Sequence, residues 1–138
     1  MKSAPALGEI IPYWFLWLSE HEAGEESGRK LRPCVVLATI EGEGKTLRVA
    51  VLPITHSKPP STRAAIEIPA AVKKRLNLSG APSRIVCDEF NEFIWPGVDL
   101  GKTPRGMPSF GHLPRGVLAA ARAAFTEARA RGRLVRDH

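Results

Sequence analysis

Two runs dense in β-branched and apolar residues, 33–40 and 46–55, are separated only by Glu41-Gly42-Glu43-Gly44-Lys45. A linker this short leaves two strands little choice but an antiparallel hairpin, and its glycines supply the positive φ that tight turns require. The start of the first strand then lies beside the end of the second. Pro33, which has no N–H to donate, suits the first rung of a strand and directs the chain just after Arg32. The second strand ends in Thr55-His56-Ser57, three hydrogen-bonding side chains behind a mostly apolar run. Arg32 and Thr55 are therefore expected in one site.

The rest of the chain dresses this hairpin. Residues 9–18 are too apolar and aromatic for anything but core or interface, with Pro12 marking an edge or a bulge. Residues 19–31 carry Glu20, Glu22, Glu25 and Glu26 around two glycines and end on Arg29-Lys30-Leu31, a loop composition. After a proline-stiffened loop at 57–63, a short fourth strand is expected at 64–68 and a short helix at 70–76 with Pro69 as its first residue. Residues 83–90 read as a fifth strand, with 91–96 leading on from it to a turn at Pro96-Gly97, and 101–108 as an irregular loop. From Pro114 the period changes: Val117, Leu118, Ala121, Ala124, Phe125 and Ala128 line one helical face, with Arg115, Arg122 and Arg129 off it. The expectation is a mainly β chain with helical additions: a small, strongly bent barrel, a short internal helix and a C-terminal amphipathic helix, in a single domain over 1–138 with its core at about 8–130.

A chain of 138 residues can bury a core without disulfides or metals. Its longest apolar stretch, 10–18, falls far short of the roughly 20 residues that span a bilayer, and Glu9 before it and Ser19-Glu20-His21-Glu22 after it do not suit a signal peptide. The expectation is a cytoplasmic protein with no membrane partner. Cys34 and Cys87 sit in apolar runs as small buried hydrophobes; without a CxxC or a His/Cys cluster, neither metal nor cofactor is expected. Residues 101–138 hold eight Lys and Arg against two acids, and so carry the whole net charge of +6. Such a segment suits a polyanionic partner or a solvated helix face.

Several pieces, in order, resemble one family: Gly8-Glu9-Ile10, an acidic glycine loop running into Arg32-Pro33-Cys34-Val35-Val36-Leu37, Pro53-Ile54-Thr55, Val86-Cys87-Asp88, and Gly111-His112-Leu113 before a closing helix. This set is similar to the MazF/PemK toxins of type II toxin–antitoxin systems, as a divergent member. The resemblance implies an SH3-like barrel of the kind the gyrase-poisoning CcdB toxins also have. It implies a homodimer, an antitoxin protein as partner, and contact with operator DNA only as the toxin–antitoxin complex. It implies metal-independent cleavage of single-stranded RNA to 2′,3′-cyclic phosphate and 5′-hydroxyl ends, inhibiting growth. By position it gives Arg32 the main catalytic role, Thr55 the holding of the scissile phosphate and Asp88 an accessory one; Val86 stands where some members have arginine.

The chemistry asks for a base on the ribose 2′-OH, an acid for the leaving oxygen and cationic donors for the phosphorane-like transition state. Arg32 suits the last, because a guanidinium stays charged and donates two parallel hydrogen bonds. His56, Glu26 and Asp88 are all candidates for the base, and Arg29, Lys30, Ser57 and Lys58 for RNA contacts. Each has a bland alternative: a salt bridge from Arg32 to the acidic loop, a strand-end hydroxyl at Thr55, a loop histidine at His56, a turn cap at Asp88. In the same way, a barrel that binds antitoxin, a protein target or nucleic acid without cutting anything is the alternative to a nuclease. Finally, Trp14, Phe15, Trp17, Phe93 and Trp95 are more aromatic surface than one small barrel hides, so cover is expected from a second copy or from the closing helix.

Overall fold

The computed structural model describes residues 4–17, 30–44, 46–56, 64–78, 80–131 and 135–136. The elements are β1 (Glu9–Trp14), β2 (Leu31–Glu41), β3 (Leu47–Thr55), β4 (Ala65–Glu67), α1 (Ala70–Arg75), β5 (Arg84–Val86), β6 (Glu89–Ile94), β7 (Gly111–His112), α2 (Arg115–Ala130) and β8 (Val135–Arg136). The sheet runs β4-β5-β3-β2-β1-β7, with β6 also on β3 and β8 parallel to β6. On the side away from β2, β3 pairs with β6 from Arg48 to Val51 and with β5 at Ile54 and Thr55. One strand shared in this way by two partners curls the sheet into the expected SH3-like half-barrel with helical additions.

The expected hairpin forms, with Cys34 opposite Pro53 and Val36 opposite Val51. Between Val36 and Ala38 the register slips by one, so Leu37 is a bulge. Its carbonyl accepts a hydrogen bond from Arg122 Nη1 at 3.2 Å. Arg122, expected off the apolar face of α2 and exposed there, reaches with its guanidinium to the irregular rung. Pro12 faces Pro33 across β1 and β2, so the two residues lacking an N–H share a rung; β1 is interior, between β2 and β7, not an edge.

Three expected boundaries move. The strand at 83–90 is two strands, broken at Cys87-Asp88, where Cys87 N–H donates to Ala64 O at 2.8 Å and Asp88 Oδ2 accepts from Ala64 N–H at 3.3 Å. Pro69 is the N-cap of α1 and not its first turn. β1 ends at Trp14, four residues early, because Leu16 is drawn off to the Asn91 side chain. The expected loop at 19–31 lies outside the described residues up to Arg29; Leu31 already belongs to β2.

Strand alternation sorts the core into two clusters. Ile10, Val35, Leu52, Ile54 and Ile85 face α2, which contributes Ala121, Leu118 and Phe125. On the other side Ile11, Cys34, Val36 and Val51 join Tyr13, Phe15, Trp17, Phe93 and Trp95. These rings cover one another: Tyr13 stacks on Phe93 at 4.7 Å, and Phe15 meets the edge of Trp17 at 5.1 Å. Phe15 is fully buried and Trp14 is exposed, so the pleat divides them as expected, but neither α2 nor a second copy is what hides Tyr13 and Phe15. No helix among the described residues is long and apolar enough to cross a membrane.

Candidate functional site

Arg32 stands one residue inside the start of β2, opposite Tyr13 of β1. Continuing the β2–β3 register two rungs beyond Cys34 and Pro53 sets it across from Thr55, on the sheet face of the aromatic cluster. Its guanidinium carbon lies over the Trp17 ring, 5.3 Å from the centroid, a cation–π seat that fixes the group without neutralising it. Its Nε–H is buried and has no hydrogen-bond partner. Among the described residues Arg32 makes no ion pair; the acidic loop of the salt-bridge alternative lies outside them. A buried donor left unmatched costs about 1–3 kcal/mol, a cost that an incoming anion would relieve.

Arg32 and His56 line the same cavity, of about 390 Å³. Ile54, Phe110 and Pro33 give it apolar walls, and Lys102 stands at it as a second cation. Chain direction explains His56: β3 ends at Thr55, and the next residue turns out of the sheet towards the start of β5. There its Nδ1 lies 3.3 Å from Pro82 O and 3.2 Å from Ser83 Oγ. A carbonyl can only accept, so the proton sits on Nδ1; the Ser83 hydroxyl accepts from it and donates to Ala81 O at 3.2 Å. This tautomer leaves the Nε2 lone pair without a partner among the described residues, as a general base requires.

The sequence model of the PemK-like, MazF-like toxins of type II toxin–antitoxin systems matches residues 8–93, well over half of the chain. The chain belongs to this family. Among curated proteins none matches it. As a type II toxin it has an antitoxin protein as partner.

In this PemK-like chain the other expected site residues fall in different places. Thr55 is buried and engaged, and it does not line the cavity. Asp88 is also buried and away from the cavity; it holds the Ala64 backbone at the β5–β6 break, the turn-cap alternative. Lys30 is exposed beside the start of β2. Glu26, Arg29, Ser57 and Lys58 lie outside the described residues. Val86 is buried in β5, so no cation stands where some family members carry arginine. Glu92 of β6 pairs with Arg48 at 3.2 Å and stands across β3 from Ala38, six residues along β2 from Arg32.

Three participants escape a reading of the sequence: Trp17 as the seat of Arg32, Ser83 as the holder of His56, and Lys102. Only Ser83 leaves a trace, as a hydroxyl between a proline and a strand, where side chains tie down backbone. Among the described residues there is no group of three or more His, Cys, Asp or Glu side chains able to hold a metal.

Proposed function

We propose that this toxin is an endoribonuclease that cuts single-stranded RNA by in-line attack of the ribose 2′-OH, without a metal, and thereby arrests growth. The observation that carries the reading is one cavity lined by both Arg32, seated on Trp17, and His56, the Arg32 Nε–H and the His56 Nε2 having no partner among the described residues. Arg32 binds the scissile phosphate and offsets the charge that builds on its oxygens. His56 Nε2 takes the proton of the 2′-OH as that oxygen bonds to phosphorus. The P–O5′ bond breaks, the 5′-oxygen takes up a proton, and a 2′,3′-cyclic phosphate remains. A toxin that cuts cellular RNA acts in the cytoplasm.

The test is incubation of the folded protein with diverse single-stranded RNAs in EDTA. Cyclic-phosphate and 5′-hydroxyl ends are the expected products, and their absence from every RNA sinks the reading. A homodimer is part of the proposal, supported by the exposed ring of Trp14 at the end of β1; light scattering giving a 15 kDa monomer at micromolar concentration removes it.

The buried Val86 favours a second reading, a toxin that binds its target without cutting it. Growth arrest that survives an Arg32→Ala, His56→Ala, Thr55→Ala triple change distinguishes it, because a binder needs none of this chemistry.

A further inference from the structure

Two more cavities adjoin the one at Arg32. The first, of about 220 Å³, shares Asn77, Pro104 and Phe110 with it; the second, of about 580 Å³, shares Asn77 and Leu78. Arg105 lines both, so the three form one trough over the C-terminal end of α1 and the loop before β7. The lining carries Arg32, His56, Lys102, Arg105, Lys73 and Lys74, and among the described residues no carboxylate.

These cations are not equivalent. Lys73 is buried and donates to Ala81 O at 2.6 Å and Gly80 O at 3.4 Å, holding the wall of the trough together. Lys74, Lys102 and Arg105 are exposed and have no ion pair among the described residues. Arg105 rides the tip of a loop closed on itself by Gly106 N–H to Thr103 O at 2.8 Å and Thr103 N–H to Met107 O at 2.8 Å, with Gly106 at φ +78°. A tip so tied keeps its cation over the trough instead of sweeping through solvent.

We infer that this trough is a binding track for single-stranded RNA, in which the strand leaves the phosphate held at Arg32, passes Lys102 and Arg105, and reaches Lys74. Cations strung along a groove match the repeating charge of a sugar–phosphate backbone, while Phe110, Pro104 and Leu78 offer flat apolar surface to the bases between. An acidic peptide would answer the charge but leave those surfaces unmatched. Lys102, Arg105 and Phe110 lie beyond residues 8–93, so the track draws on the basic C-terminal third for which the family match has no place. The inference rests on the reading that Arg32 takes an RNA phosphate.

The experiment measures binding of non-cleavable 2′-O-methyl oligonucleotides of about three and about nine nucleotides by fluorescence anisotropy, with poly-glutamate as competitor. Wild type is expected to hold the longer strand at least tenfold more tightly. In Lys74→Glu/Arg105→Glu that advantage disappears, and from about 50 to about 200 mM salt the log–log slope falls by about 1.4, two contacts at about 0.7 each. Lys74→Arg/Arg105→Lys restores both. An unchanged advantage in the reversed-charge variant overturns the track even if RNA is still cut. Competition by poly-glutamate on equal terms with the oligonucleotide overturns RNA as its occupant. Length-dependent binding in a protein that cuts no RNA upholds the track and removes the nuclease reading alone.

Discussion

Asn91 grips the backbone of Leu16 with both ends of its amide: Oδ1 accepts from Leu16 N–H at 2.8 Å, and Nδ2 donates to Leu16 O at 2.9 Å. The residues are 75 apart in sequence and both are buried. The clamp takes the place of a ladder rung just where β1 has ended, and the next residue is Trp17, on which Arg32 is seated. A structural amide in β6 thus sets the position of the candidate phosphate ligand.

Asn91→Leu removes both partners and leaves an N–H and a carbonyl unsatisfied in the interior, at about 1–3 kcal/mol each. Urea unfolding should show a loss of about 2–4 kcal/mol, within that range once partial relaxation is allowed. A loss below about 1 kcal/mol would mean that water or a shifted backbone replaces the clamp.

The hairpin was legible because it depends on local signals: β-branched runs, a glycine turn, and Pro33 at a strand start. Arg32 opposite Thr55 follows from that hairpin by counting. The amphipathic face of α2 was legible for the same reason. The break at Cys87-Asp88 was not, because it arises from β3 changing partners, which no residue in 83–90 announces. Nor was the placement of His56 at the cavity and of Asp88 away from it. Both have plausible chemistry in the sequence; only the direction in which the chain leaves β3, and the capture of Asp88 by Ala64, separates them. Cys34 and Cys87 were legible as buried hydrophobes, and Arg122 as lying off the apolar face of α2; its hydrogen bond to Leu37 was not, because that bulge is a feature of the paired sheet and not of the helix.

Arg32→Lys distinguishes charge from geometry. Lysine keeps the cation but not the planar fork that donates two parallel bonds to phosphate. Cleavage is expected to fall by at least about 100-fold, the scale of one lost donor to a transition-state oxyanion. Stability should change by no more than about 1 kcal/mol, since the protein gives up only a cation–π contact there. Near-wild-type cleavage by the lysine variant would reduce Arg32 to a general electrostatic contact.

His56→Gln should lower cleavage by about 10²- to 10⁴-fold, the usual contribution of a positioned base. Ser83→Ala is the sharper probe. It removes one acceptor from Nδ1 but leaves Pro82 O, so the tautomer persists with a looser ring. A smaller loss, with KM little changed and kcat reduced, is expected in steady-state kinetics. A Ser83→Ala enzyme as slow as His56→Gln would mean that the hydroxyl itself takes part in the chemistry.

The two thiols make a prediction about pH. Burial drives the Cys34 thiol far above its usual range, against a smaller opposing pull from the Arg32 charge. Burial, reinforced by the neighbouring Asp88 charge, pushes Cys87 up to about 12. Both are acids whose folded pKa exceeds the unfolded value of 9.0. Above about pH 9 the unfolded chain therefore releases protons that the folded chain keeps, and stability is lost as pH rises, although below that point it is fully present. Between about pH 9 and about pH 12 each thiol should contribute a fall of about 1.4 kcal/mol per pH unit. Urea unfolding across that window, compared with a Cys34→Ala/Cys87→Ala variant, isolates the thiols from other alkaline titrations, since only the wild type should show the extra slope. The same burial predicts that iodoacetamide at pH 8 labels the folded protein only at the rate of its unfolding. Equal slopes in the two proteins, or rapid labelling of the folded one, would show that these cysteines are open to solvent in a way the packing of β2 and of the β5–β6 break does not allow.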